Sequence, residues 1–209
     1  MNLTITGNLT LENLTDAESS FLKSENQWPN PQIRIAENMG RYSAHFPSLV
    51  EAWREEDERL ILPRGYLEHL LEQFVPESID DQRTTAPIDI PKLEGVTYRG
   101  YQQELLGEAY RHEQGTLVAP TGSGKSIMGM ALMAHHGQRS IILVNSKELA
   151  SQWRQEIKKW MGVEAGAVGG GKWTEGEEVT VAMLQTLHRN PQKAAELFSR
   201  HGLTLVDET

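Results

Sequence analysis

Residues 116–126, Thr-Leu-Val-Ala-Pro-Thr-Gly-Ser-Gly-Lys-Ser, pass from an apolar run through a turn carrying two glycines into a segment of helical periodicity. Gly122 and Gly124 let the backbone curl so that successive N–H groups face inward on an anion. The N-terminus of the helix that follows adds partial positive charge at the same point. Lys125 is long enough to reach the outer phosphates of a nucleotide, and the Ser126 hydroxyl is suited to a Mg²⁺ shell. The pattern departs from G-x-x-x-x-G-K-[ST] at its first position, where Ala119 stands in place of glycine. Pro120, Thr121, Gly122, Ser123, Gly124, Lys125 and Ser126 are therefore the expected phosphate loop.

The surroundings suit such a loop. Short β-rich runs (Gly115–Val118, Ser140–Val144, Val179–Met183, Leu203–Val206) alternate with amphipathic segments (Tyr101–Glu113, Lys125–His136, Lys147–Trp160 and about 192–201). That alternation predicts an α/β domain with a parallel sheet covered by helices on both faces. The last run ends in Asp207-Glu208. An acid at the tip of a neighbouring strand is the second half of a nucleotide–metal site. Asp207 suits the cation and Glu208 the attacking water. The reading requires the loop and these acids to lie on the same rim of the sheet. A chain that stops just past such a strand is also expected to be a fragment of a longer protein.

The first half differs in texture. Residues 1–96 hold 17 acidic and 8 basic residues, and residues 97–209 hold 12 of each, so the whole net charge of −9 lies in the first half. Leu3, Ile5, Leu9 and Leu11 alternate as in short strands, and Thr15 with Glu18 fits a capping box opening a helix near 16–25. Asn26–Gln32 reads as a loop, Arg59–Leu62 as a strand and residues 64–74 as a helix. We expect an accessory α+β domain at 1–75, a proline-punctuated linker at 76–95 and the α/β domain at 96–209. There is no cysteine, which removes thiolate metal sites and disulfides and favours a reducing, cytoplasmic setting. No apolar run reaches the roughly 18–20 residues that span a bilayer, so no membrane partner is expected.

Taken together, the motifs resemble superfamily 2 helicases and translocases. Residues 119–126 resemble motif I, and Val206-Asp-Glu-Thr209 resembles the opening of motif II. Tyr98-Arg-Gly-Tyr-Gln102 resembles the upstream segment in which a Gln reads adenine. Asn145-Ser-Lys-Glu-Leu-Ala-Ser-Gln-Trp153 resembles motif Ia, and Val168–Lys172 and Ala182–Thr186 resemble the stretches that follow it. The branch it is most similar to contains the XPB repair helicase, the phage recombination helicase UvsW and the helicase subunits of restriction systems. Met39-Gly-Arg41 and Leu60–Tyr66 are similar to a small domain thought to touch DNA in that branch, although Glu55, Glu56, Asp57 and Glu58 make it acidic here.

The resemblance implies an incomplete first RecA-like motor domain and an ATP-dependent DNA helicase or duplex translocase, with RNA open as a substrate. ATP and Mg²⁺ are the implied cofactors, and a second RecA-like domain the implied partner. Without that domain's arginines, the chain alone is expected to bind ATP weakly and not to turn it over. The alternatives are an ATP-hydrolysing restriction subunit or a nucleotide-independent DNA- or protein-binding module. Gln102 is the expected adenine reader, or else a residue at a helix start. Ser146, Lys147, Gly170, Lys172, Gln185 and Thr186 are expected nucleic-acid contacts, with helix capping and loop flexibility as the competing readings. Trp153 and Trp160, seven apart on one helix, read as a packing stripe rather than a base-stacking platform.

Overall fold

The structure, a computed structural model, describes residues 1–42 and 44–207. The chain divides into two compact units, Met1–Arg83 and the residues from Thr84 onward.

The first unit is built on alternation. Strands β1 (Asn2–Ile5) and β2 (Asn8–Glu12) pair antiparallel, matching Leu3 with Leu11 and Ile5 with Leu9. All four leucine and isoleucine side chains are buried on one face, as a period of two demands. Helix α1 (Asp16–Glu25) opens with a complete capping box. The Thr15 hydroxyl accepts from the Glu18 N–H, and the Glu18 carboxylate accepts from the Thr15 N–H at 2.8 Å. Those Thr15 donors hold the Glu18 carboxyl below its ordinary range.

Strand β3 (Gln27–Pro29) and helix α2 (Pro31–Asn38) occupy the stretch expected as a loop. The turn formers there start a helix: the Asn30 side chain caps Gln32 and Pro31 takes the first helical position. Strands β4 (Leu49–Glu51), β5 (Arg54–Glu56) and β6 (Arg59–Pro63) follow, with β3 and β4 forming a separate ribbon. Asp57 and Glu58 turn the β5–β6 hairpin with φ of 49° and 63°, the left-handed pair a two-residue turn of that hand needs. A 3-10 turn at Arg64–Tyr66 leads into α3 (Leu67–Gln73). Strand β7 (Ser78–Asp81), inside the expected linker, pairs parallel with β1 to complete the sheet order β5-β6-β2-β1-β7. In the rest of that segment Ile90 is buried with Met130, Met133 and Ile142 in the second unit.

The second unit contains helices α4 (Gly100–Ala109) and α5 (Lys125–His136), strand β8 (Ser140–Val144) and helix α6 (Lys147–Met161). Strands β9 (Gly166–Gly169), β10 (Lys172–Thr174) and β11 (Val179–Met183) come next, then α7 (Leu184–His188), α8 (Pro191–Phe198) and strand β12 (Leu203–Val206). The sheet order is β10-β9-β11-β8-β12. It is parallel throughout except for the β9–β10 hairpin. Every residue of β8 is buried, because helices cover both faces. Ile142 and Val144 join Met130 and Met133 of α5 and Trp153 and Ile157 of α6, while Ile141 and Leu143 join Leu187, Ala194 and Leu197 of α7 and α8. This is the RecA-like α/β architecture expected.

One expected strand is absent. Gly115–Val118 has no ladder partner among the described residues, and Val118 is 81% exposed. Among the described residues β12 pairs only with β8, so its outer edge is open and the run at 115–118 does not pair with it.

Candidate functional site

The residues singled out in the second unit gather on one rim of its sheet. Strands β8, β11 and β12 run parallel, so Ser146, Gln185 and Asp207 all follow strand carboxyl ends, where open α/β sheets bind ligands.

The phosphate loop is curled as its glycines allow. Gly122 and Gly124 have φ of 78° and 83°, and Gly124 is the N-cap of α5, leaving that helix end without a side-chain cap. A Cβ at Gly124 would lie 2.6 Å from Gln102 Nε2, so a side chain there would be strained by the positive φ and would also displace the Gln102 amide. Ser123 is buried, and its Oγ has no hydrogen-bond partner among the described residues. Lys125 Nζ donates to Ala119 O at 3.2 Å and Pro120 O at 3.5 Å, folding the cation over its own loop. Open helix N–H groups, an orphaned buried hydroxyl and a cation held only by carbonyls fit an anion such as a polyphosphate.

Gln102 is buried against this loop. Its Nε2 donates to Ser123 O at 2.8 Å, and its Oε1 accepts from the Arg99 N–H at 2.8 Å. Tyr101 Oη also donates to Ser123 O, at 2.8 Å. The start of α4 thus clamps the phosphate loop. Each end of the Gln102 amide retains one further hydrogen-bonding position.

Asp207 stands at the end of β12, its N–H donating to Leu143 O at 3.0 Å. Its Oδ2 accepts from Trp153 Nε1 at 2.7 Å. The same indole lies on α5: a Cβ at Gly129 would meet Trp153 Cη2 at 3.0 Å and Leu205 Cδ1 at 3.7 Å. Gly129 is one turn past Lys125, so the helix that the loop opens and the strand that ends in Asp207 meet on the same rim. Glu208 lies outside the described residues. Among the described residues, no group of three His, Asp or Glu side chains converges to hold a metal ion.

A second feature borders the first. Lys147 at the start of α6, Gly170 and Lys172 of the β9–β10 turn, Ser151 and Arg154 line one open groove, and no carboxylate lines it. The Lys147 chain lies over Gly170, with Cε 4.0 Å from where a Cβ would be. Gly169, Gly170 and Gly171 all have positive φ, which keeps the turn narrow. The Ser146 hydroxyl is the N-cap of α6, accepting from the Leu149 N–H at 3.2 Å. Gln185 Nε2 donates to Asn145 O at 2.8 Å, tying α7 to that cap. Gln185 and Thr186 lie within α7 rather than in a loop and do not line the groove. Sequence reasoning missed Arg154. It lies one helical turn past Ala150 and Ser151 on the α6 face that also carries Lys147, a spacing that could have found it.

A parallel sheet with crossover helices and these features at its carboxyl rim defines a RecA-like domain of the superfamily 2 helicase type. The family profile "Type III restriction enzyme, res subunit" matches residues 95–209, and the chain belongs to that family. The chain is 28% identical over 147 residues to "Probable helicase D10" of Escherichia phage T5, covering 70% of this chain and 32% of that protein. It is 25% identical over 178 residues to "DNA 3'-5' translocase XPB2" of Sulfurisphaera tokodaii (85% and 36%). With "DNA 3'-5' helicase XPB" of Kineococcus radiotolerans it shares 33% over 122 residues (55% and 22%). The chain therefore spans roughly a third or less of these relatives' length. Among the described residues no helix is long and apolar enough to cross a membrane.

Proposed function

We propose that this chain carries the nucleotide-binding half of an ATP-dependent DNA helicase or duplex translocase. The observation that supports this most is the meeting of α5 and β12 through Gly129, Trp153 and Asp207. It sets the phosphate loop and the strand-end acid on one rim, beside a groove lined by cations.

In this reading the N–H groups at the start of α5 and the Lys125 ammonium bind the triphosphate, Lys125 leaving the Ala119 and Pro120 carbonyls to do so. Gln102 contacts the adenine edge through its free donor and acceptor positions. Ser126 and Asp207 would hold Mg²⁺. The remaining ligands would come from the nucleotide and water. The bound ion would neutralise charge building on the phosphate oxygens. Glu208 accepts the proton of the attacking water. Lys147, Lys172 and Arg154 bind the nucleic-acid backbone, and the similarity to proteins named as DNA helicases and translocases supports DNA as the partner. A second RecA-like domain supplies the arginines for turnover, so the chain alone binds nucleotide weakly and does not hydrolyse it.

The test is binding of a fluorescent ATP analogue, with Mg²⁺, to the wild-type chain and to Lys125→Ala. Saturable binding lost in the variant supports the reading. Equal binding, or none by either protein, refutes it in favour of a nucleotide-independent module.

A further inference from the structure

Trp153 belongs to a packing stripe by its spacing, and it is only 4% exposed. Packing alone leaves two observations unused. The first is that its one polar atom ends on the carboxylate of Asp207, 2.7 Å away, when a buried indole N–H needs only some acceptor. The second is the missing side chain on α5. Gly129 sits mid-helix, where glycine is disfavoured relative to alanine. The Trp153 ring occupies the space a Cβ would claim, 3.0 Å from Cη2.

We propose that Trp153 is a positioning residue for the cation site. Its N–H fixes the rotation of the Asp207 carboxylate, and its ring, seated on Gly129, sets the spacing between that carboxylate and the helix that opens the phosphate loop. The proposal rests on the reading of Asp207 as the acid that holds Mg²⁺. A carboxylate at a strand end turns freely about its last bond unless one oxygen is held. With Oδ2 engaged by a charge-assisted hydrogen bond, Oδ1 is left for the ion or its water. Main-chain pairing of Asp207 with Leu143 fixes the backbone, and the indole fixes the side chain. The ring and Leu205 of β12 both come within 4 Å of where a Gly129 Cβ would be, so α5, the indole and β12 pack at one point.

The test uses the full chain and a fluorescent ATP analogue, titrated in EDTA and over a range of Mg²⁺ concentrations. Trp153→Phe keeps an aromatic ring and removes the donor. Gly129→Ala keeps the donor and pushes the ring. Both are expected to raise the Mg²⁺ concentration needed to tighten nucleotide binding by about 10–100-fold, the range seen when partners of metal-binding side chains are removed. The metal-free affinity should stay within about twofold, a split that a purely structural role would not produce.

A second measurement decides the matter even if Trp153→Phe and Gly129→Ala fail to fold. The chain has five tryptophans, so five indole N–H resonances are expected from the ¹⁵N-labelled wild type. The Trp153 resonance, assigned through the contact of its own ring protons with Gly129, should move in Asp207→Asn and on adding Mg²⁺ with nucleotide. If Asp207→Asn leaves the Mg²⁺ response intact, the assignment of Asp207 to the ion falls and the proposal with it. If Asp207→Asn abolishes that response but the folded Trp153 and Gly129 variants respond like wild type, or the resonance stays in place, the proposal alone falls.

Discussion

The groove beside the nucleotide site makes a quantitative prediction about salt. Lys147, Arg154 and Lys172 line it, all three exposed and with no carboxylate among the lining residues. A cation that neutralises one phosphate of a single strand steepens the dependence of log affinity on log salt by about 0.7. Three such contacts give a slope of about −2, which over 50 to 200 mM salt weakens binding by about 20-fold. Arg154→Ala should leave a slope of about −1.4 and a loss of about sevenfold over the same interval. The triple alanine variant should lose nearly all of the groove's salt dependence.

Arg154 is the informative single change. Its Nε donates to Ala165 O at 3.3 Å, so part of its side chain is already committed to the protein, and its guanidinium is held in place rather than free. Fluorescence anisotropy with a labelled oligodeoxynucleotide at four salt concentrations measures the slope, and circular dichroism checks that each variant is folded. A triple variant that keeps the wild-type slope would refute the argument. The chain would then bind DNA elsewhere, against the acidic balance of its first unit.

Two further outcomes follow from the geometry. Gly124→Ala combines a left-handed φ of 83° with a 2.6 Å approach to Gln102 Nε2. It should lower nucleotide-analogue affinity at least tenfold and cost roughly 1–2 kcal/mol in urea denaturation. His201 is buried, with its ring nitrogens placed on Leu197 O and Thr180 Oγ1, and burial lowers its pKa below the ordinary 6.5. Its folded form resists protonation, so its share of stability is full above pH 6.5 and is lost as pH falls below that value. Glu175, lowered by its hydrogen bonds from Arg200, contributes above its ordinary 4.5 and loses that share only below it. Urea midpoints should therefore fall between pH 7.5 and 5.5 in wild type and fall less in His201→Gln.

How much of the fold is legible in the sequence follows from which signals are local. The capping box, the α5 boundaries and strands β8, β11 and β12 all match, because each is set by residues within a turn or a strand length of one another. Helix α2 escapes although its signal is local: Asn30-Pro31 reads as turn chemistry, and the same pair starts a helix. The β9–β10 hairpin hides in a glycine-rich run whose composition argues against strands. It exists because Gly169–Gly171 can turn at positive φ and Val168 is buried against the α7 and α8 side of the sheet. The run at 115–118 errs the other way: its apolar character suits a strand, but it pairs with no strand although the outer edge of β12 is open, because apolar character alone does not specify a partner.

The Trp153–Asp207 contact marks the limit of such reading. Heptad-like spacing correctly places Trp153 on the buried face of α6, but a face is not a partner. Which carboxylate the indole meets depends on β12 lying next to β8 in the sheet and on Gly129 leaving room above Leu205. Neither condition is written within reach of residue 153. The loop, the acid and the groove can be guessed one at a time from local pattern. The tie between the acid and the loop helix is a property of sheet order, so it is also the feature most exposed to refutation by a change at Gly129, one helical turn beyond Lys125 and outside the motif.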